Sequence, residues 1–281
     1  MKIWTQVIAH LPSIPDDWSI WAERFGRFGI QGTVQTDEPP TISGYVCEEM
    51  KVDVSALSDE LRSLGAAKVS TIEVSDEDWA ESWKQFFRPH KIGDRLTVCP
   101  SWETYAAEGD EIVLVLDPGQ AFGTGDHAST RMCLEIMQRM EIADRSVADI
   151  GCGSGILSVF AMQTGAAKVD AVDIDPVSVA ATRENALKNG VAVTVYEGDG
   201  FSPLPDAGYE VVLANIISEA LIHLAPEAKQ RVSAGGHWLV SGIIAENWPD
   251  VERSATVHGF ELVEVERDGE WVAALFRRLP D

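Results

Sequence analysis

Basic residues are scarce in this chain. Its 281 residues hold 22 Lys and Arg against 45 Asp and Glu, a formal charge of −23. A protein that grips a nucleic-acid phosphate backbone needs a basic face, so direct nucleic-acid binding is not expected. Cysteine is equally sparse. Cys47, Cys99, Cys133 and Cys152 lie far apart, with no C-x-x-C pair and no histidine cluster beside them. That spacing speaks against a structural zinc site and against a disulfide framework; no metal is expected, and a reducing cytoplasm is the expected setting. No run of about 18 apolar residues is present, so no membrane span is expected. The start, Met1-Lys-Ile-Trp-Thr-Gln6, lacks the apolar core of a secretory signal. Internal repeats and low-complexity stretches are missing as well. The acidity itself has two readings: solubility, or attraction of a basic protein or peptide. It is shared along the chain, since residues 1–94 hold 9 Lys and Arg against 16 Asp and Glu, and no basic arm exists.

What is present divides in two. Residues 4–8 read as a strand and 16–28 as a helix with Trp18, Trp21 and Phe25 on one face, stopped by Gly29. Strands follow at 30–35 and 42–48, then a helix at 54–64 closed by Gly65, then a strand at 68–74. The order β-α-β-β-α-β is that of a ferredoxin-like α+β domain. Ser75 opens a further helix signal through Trp79, Trp83 and Phe86, ended by Pro89. The division predicted is an N-terminal domain over 1–88, a linker over 89–95 and a second domain over 96–281.

In that second part strands and helices alternate, which predicts an α/β fold with a doubly wound, mostly parallel sheet. Two last strands, 260–266 and 271–276, flank Asp268-Gly269 and read as a terminal antiparallel hairpin. Within this frame, Val147-Ala-Asp-Ile-Gly-Cys-Gly-Ser-Gly155 runs from a strand through three alternating glycines into a helix. Such glycines let the backbone take φ > 0 and approach a ligand closely, while helix-start amides face an anion. The spacing is not the dinucleotide fingerprint, whose third glycine falls where Ile156 stands, and this disfavours a nicotinamide-dependent oxidoreductase. It resembles motif I of S-adenosylmethionine-dependent methyltransferases, and the terminal hairpin fits their class I fold.

Asp173 closes the next strand, 22 residues beyond Gly151, where a carboxylate can accept both ribose hydroxyls; a plain strand-end carboxylate is the alternative. Asp175 before Pro176 reads as a helix N-cap. Asp199, between Gly198 and Gly200, suits an adenine amino group or simply a turn. Asn215 ends a buried strand, where ligands of open α/β sheets bind, and its amide offers an acceptor to an incoming N–H. A second glycine loop, Asp117-Pro-Gly-Gln-Ala-Phe-Gly-Thr-Gly-Asp-His127, precedes a helix; Phe122 could close it as a lid, and Thr130 could donate a hydroxyl from the first turn. His127 is a weaker candidate, since a helix-start histidine is more often structural.

Asp117-Pro-Gly-x-Ala-Phe-Gly-Thr-Gly-x-His127, Asp149-x-Gly-Cys-Gly-Ser-Gly-Ile-Leu157, Asp173-Ile-Asp-Pro176 and Asn215-Ile together resemble the PrmA family, methyltransferases of large-subunit ribosomal protein eleven. Asp78-Trp-Ala-Glu-Ser-Trp83 and Pro100-Ser-Trp102 extend the likeness over most of the chain. Asp126 and Ser218 depart from the family's usual residues. The resemblance implies S-adenosyl-L-methionine as cofactor, with contacts at Thr130, Gly151, Asp173 and Asn215. Gly153, Asp149, Phe122 and Asp199 complete the expected cofactor set. Asn215 would position the amine, with no general base assigned. The implied reaction is methylation of lysine side chains, and of an N-terminal amine, on that ribosomal protein, with the N-terminal domain recognising it. A cytoplasmic monomer is expected. A lysine methyltransferase for another protein and a non-catalytic cofactor-binding regulator are the alternatives.

Overall fold

The computed structural model describes residues 3–15, 18–30, 33–47, 50–75, 87–117, 123, 125 and 127–280. The chain divides into two compact units, Met1–Phe86 and Phe87–Asp281. The first contains β1 (Ile3–His10), α1 (Ser19–Arg27), β2 (Thr33–Asp37), β3 (Pro40–Cys47), α2 (Val54–Ser63) and β4 (Lys68–Ser75). They form one antiparallel sheet in the order β2-β3-β1-β4, the ferredoxin-like pattern expected from the element order. Phe25 and Trp21 from α1 and Leu57 and Leu61 from α2 cover Val7, Ala9, Ile42 and Val46 on the strands. The packing is close: a Cβ on Gly44 would lie 2.7 Å from Phe25 Cδ1. Asp53 caps α2 by accepting from the Ala56 amide. The helix expected from Ser75 onward falls on residues 76–86 and lies outside the described residues.

The second unit opens with a small sheet, β5 (His90–Ile92), β6 (Leu96–Cys99) and β7 (Ile112–Val115), in that order. The segment 89–95 expected to be a linker therefore holds a strand and the turn at Gly93-Asp94 into β6. Three residues are too few to display alternation, which is why the pattern was not visible.

There follow α3 (Ala128–Arg139), β8 (Ser146–Ile150), α4 (Ile156–Gln163), β9 (Lys168–Asp173), α5 (Pro176–Lys188), β10 (Thr194–Glu197), β11 (Tyr209–Asn215), α6 (Ser218–Arg231), β12 (Val232–Ile244), α7 (Trp248–Val257), β13 (Phe260–Asp268) and β14 (Trp271–Arg278). The seven-stranded sheet has the order β10-β9-β8-β11-β12-β14-β13. Its first five strands are parallel, and β14 runs antiparallel to both β12 and β13. This is the doubly wound sheet with a terminal hairpin. Gly269 and Glu270 form the hairpin turn between the paired residues Asp268 and Trp271.

Both faces of the sheet are covered, as parallel strands require. Val147, Val211, Leu213 and Leu239 point to one apolar layer with Leu134 and Phe160. Ala148, Val212, Ala214 and Val240 point to the other with Leu221, Trp238 and Phe276. Helix α6 contains Pro226, whose missing amide leaves the Ile222 carbonyl without its helical donor; Ser254 Oγ on α7 lies 3.4 Å from that oxygen and donates to it. Helix α7 has no counterpart in the elements expected from sequence. Among the described residues no helix is long and apolar enough to cross a membrane.

Candidate functional site

Four parallel strands end side by side, and the residues at or just past their carboxyl ends surround one cavity of about 810 Å³. Gly151 and Gly153 follow β8, Asp173 closes β9, Asp199 follows β10 and Asn215 closes β11. Adjacent parallel strands leave such a crevice where successive connections diverge to opposite faces of the sheet. Thr130, from the first turn of α3, lines the same cavity.

The glycine turn is built by backbone conformation. Gly151, Gly153 and Gly155 have φ of 75°, 55° and 78°, the left-handed region. The turn is then held from several sides. Asp173 accepts from the Gly153 amide through Oδ2 and from the Asp175 amide through Oδ1, each at 2.9 Å. Asp173 is half-buried, and each of its oxygens keeps further lone-pair capacity toward the cavity. Behind the turn, Thr182 Oγ1 donates to the Gly153 carbonyl at 2.9 Å and Asn185 Nδ2 donates to the Ser154 carbonyl at 2.8 Å. Ser154 Oγ in turn donates to the Gly123 carbonyl, joining the turn to the second glycine loop.

Helix α5 is a splint for this region. Asp175 caps it by accepting from the Val177 amide at 2.9 Å, the role expected from Asp-Pro. At its far end Asn189 clamps Val115 of β7, accepting from its amide at 2.8 Å and donating to its carbonyl at 2.7 Å. Lys188 pairs with Asp117 at 2.8 Å. Burial pushes the Asp117 carboxyl up, but Lys188 and the Ser101 hydrogen bonds outweigh it and hold it below the usual range.

At the other end of the cavity, Asn215 Nδ2 donates to Thr130 Oγ1 at 3.2 Å. Thr130 is wholly buried, and Asn215 Oδ1 is a buried acceptor with no partner among the described residues. An orphaned buried acceptor costs about 1–3 kcal/mol, so a donor brought to Asn215 Oδ1 would be favoured by about that much.

Six of the eight expected site residues thus meet at one cavity: Thr130, Gly151, Gly153, Asp173, Asp199 and Asn215. Asp149 does not line it. Strand alternation turns its side chain into the layer beneath α4, where it is 1% exposed and accepts from Ser158 Oγ at 2.6 Å. Burial pushes its carboxyl up to about 6 against that hydrogen bond, with the charge of Asp173 adding. Asp149 is therefore a support under the turn rather than a ligand contact. Phe122 and Asp126 lie outside the described residues. His127 is the N-cap of α3, its Nδ1 2.8 Å from Ser129 Oγ and its ring edge-on to Trp271.

Sequence reasoning missed the wall contributed by α6. Glu219, His223 and Glu227 recur at helical spacing along the cavity, with Leu224 reaching toward Gly200. Ile174 and Ile216, each following a polar strand end, add apolar surface. Their signal was the spacing of four along α6, which without the fold looks like any amphipathic helix. Cys152 also lines the cavity, but burial raises its thiol far above the ordinary range, so it is no nucleophile. Among the described residues no group of three or more His, Cys, Asp or Glu is placed to hold a metal ion.

Comparison with known proteins places this arrangement. The family model for PrmA, ribosomal protein L11 methyltransferase, matches residues 13–279. The chain is 41% identical to the ribosomal protein L11 methyltransferase of Syntrophomonas wolfei over 213 residues, 75% of this chain and 69% of that protein. It is 40% identical to that of Alkaliphilus oremlandii over 254 residues, 86% of this chain and 81% of that one. The crystal structure of a ribosomal protein L11 methylase from Lactobacillus delbrueckii subsp. bulgaricus matches with a TM-score of 0.65 at 29% identity, covering 69% of this chain and all of that one. With a family model spanning nearly its whole length and relatives at this level of identity, the chain belongs to the PrmA family of ribosomal protein L11 methyltransferases.

Proposed function

We propose that this enzyme transfers methyl groups from S-adenosyl-L-methionine to lysine side-chain and N-terminal amines of ribosomal protein L11. The observation that carries the proposal is the acceptor of Asn215, unpartnered among the described residues, in the same cavity as the glycine turn and Asp173. The donor and acceptor set fits an adenosyl amino acid. Asp173 has lone pairs left for two ribose hydroxyls, Asp199 stands exposed beside Gly198 and Gly200 for an adenine amino group, and Thr130 offers a hydroxyl. When bound, this cofactor supplies a methyl group on a sulfonium and carries the difficult chemistry itself.

The chain's own residues then orient and desolvate. A lysine amine has a pKa near 10.4, so on the order of one in a thousand is neutral at pH 7. Apolar lining from Ile150, Ile156, Leu157 and Ile216 disfavours the charged ammonium and excludes water. Asn215 Oδ1 accepts an N–H of the neutral amine and so aims its lone pair; a reacting pair held in line gains several orders of magnitude in rate. The proton leaves to water, and no residue is assigned as a general base.

The N-terminal unit, expected over residues 1–88, would grip the ribosomal protein and present its amines in turn. The protein would act in the cytoplasm as a monomer. The test is incubation of the purified chain with labelled cofactor and purified ribosomal protein L11. Label in that protein is the expected result. Intact binding of S-adenosylhomocysteine with no label there, but label in another protein of a cell extract, would favour a lysine methyltransferase of different target.

A further inference from the structure

We propose that Thr130 couples ligand binding to the aim of Asn215, a positioning role that rests on the methyltransferase function proposed above. The two side chains come from different parts of the fold, α3 and the end of β11, and meet at 3.2 Å on the cavity wall. It is the one hydrogen bond that the Asn215 side-chain amide makes among the described residues: Nδ2 donates to Thr130 Oγ1, and Oδ1 has no partner there.

A hydroxyl has one proton and two lone pairs. Here a lone pair of Thr130 is taken by Asn215, while its proton goes to no described residue and is available to an acceptor in the cavity. A primary amide is nearly symmetrical in shape, so nothing steric prevents its flipping. What decides its orientation is whether Thr130 acts toward it as acceptor or as donor. An anionic oxygen in the cavity, such as a cofactor carboxylate, would accept a hydrogen bond from the Thr130 hydroxyl. Oγ1 can then only accept from Asn215, which holds Nδ2 inward and leaves Oδ1 as the acceptor offered to an amine N–H. Without that anion the hydroxyl is free to donate to Asn215. The flipped amide then presents its NH2 group, which repels the ammonium form as donor facing donor and, toward the neutral amine, ties up the lone pair that must attack. Thr130 thus makes occupancy of the carboxylate position and acceptance of the amine mutually favourable, and the effect is reciprocal.

The test uses the full chain and calorimetry with ribosomal protein L11 as the amine probe. Its affinity is measured with the enzyme saturated by S-adenosylhomocysteine, which bears the carboxylate, or by 5′-methylthioadenosine, which lacks it. One net hydrogen bond corresponds to a preference of about three- to tenfold for the carboxylate-bearing complex. Thr130→Val should bring that ratio to one, Thr130→Ser should restore it, and Asn215→Ala should abolish it while leaving Thr130 in place. A ratio of one in the unmodified protein, or a ratio that survives Thr130→Val or Asn215→Ala, would overturn the coupling. If Thr130→Val does not fold, the unmodified ratio and Asn215→Ala decide. Failure of the unmodified protein to bind S-adenosylhomocysteine at all would instead sink the methyltransferase proposal.

Discussion

Gly155→Ala should destabilise the second unit through two separable effects. Gly155 sits at φ 78°, and an alanine held in the left-handed region costs about 1–2 kcal/mol. Its Cβ would also lie 2.6 Å from Thr182 Cγ2 and 2.9 Å from Thr182 Oγ1. Thr182 is wholly buried and its hydroxyl holds the Gly153 carbonyl, so it cannot swing aside without breaking that bond. Overpacking of this kind costs about 1–3 kcal/mol. The sum is about 2–5 kcal/mol. Gly190 supplies the control: it has φ 65°, but a Cβ there meets nothing within 4 Å. Gly190→Ala should therefore show the conformational penalty alone. With urea m-values of about 1–3 kcal/mol/M, the midpoint for Gly155→Ala should lie roughly 1 M below that for Gly190→Ala. Affinity for S-adenosylhomocysteine should fall only in the former. Equal midpoints for the two variants would refute the claim that Thr182 closes the turn from behind.

Asn215→Ala should lower turnover about a hundredfold at saturating cofactor, because the amine loses its aim, while cofactor affinity changes far less; a larger change in cofactor affinity than in turnover, measured by calorimetry and rate, would contradict the positioning role. Asp173→Asn should weaken S-adenosylhomocysteine binding by about tenfold or more, since charge-assisted hydrogen bonds are lost and the Gly153 amide loses an anionic partner. Glu111 is held at about 2, below its ordinary 4.5, by hydrogen bonds from Thr97, the Glu108 amide, Tyr105 and Lys91. A lowered carboxylate stabilises the fold above the unfolded value and loses that contribution as pH falls from about 4.5 toward 2. Glu111→Gln should flatten the acid limb of unfolding over that window. Asp149 has the opposite sign: raised to about 6 from 3.8, it makes the fold less stable as pH rises between those values. Asp149→Asn should remove that slope, and an unchanged profile would show that Asp149 is not held in its buried, raised state.

Features that depend on neighbouring residues were legible in the sequence. The Asp175 cap before Pro176, the hairpin at Asp268-Gly269 and the glycine turn after β8 are local chemistry, and the chain carries each within a few residues. The alternation of strands and helices led to the parallel sheet for the same reason. Features decided across the fold were not. Asp149 stands next to the glycine turn in sequence, yet the two-residue period of β8 points it at Ser158 instead of the cavity. Helix α6 continues through Pro226, which a sequence reader takes as a stop, because Ser254 satisfies the carbonyl that the proline abandons. Helix α7 is ten residues long with only Trp248, Val251 and Ala255 buried, and β5 is three residues long. The cavity wall on α6 exists only once that helix is laid beside the strand ends.

Helix α5 has a consequence for how this enzyme can change over generations. Within fifteen consecutive positions it and its flanking residues carry a cap, a wall residue, two props for the glycine turn and a clamp on another sheet: Asp175, Ser178, Thr182, Asn185 and Asn189. Each is spaced three or four positions from the next, so all depend on one helical phase. A single substitution removes one attachment and leaves the others working. Inserting or deleting one residue midway turns everything beyond it by about 100° and detaches several at once. The helix should therefore accept many spelling changes and almost no change of frame, even though most of its length never meets a substrate.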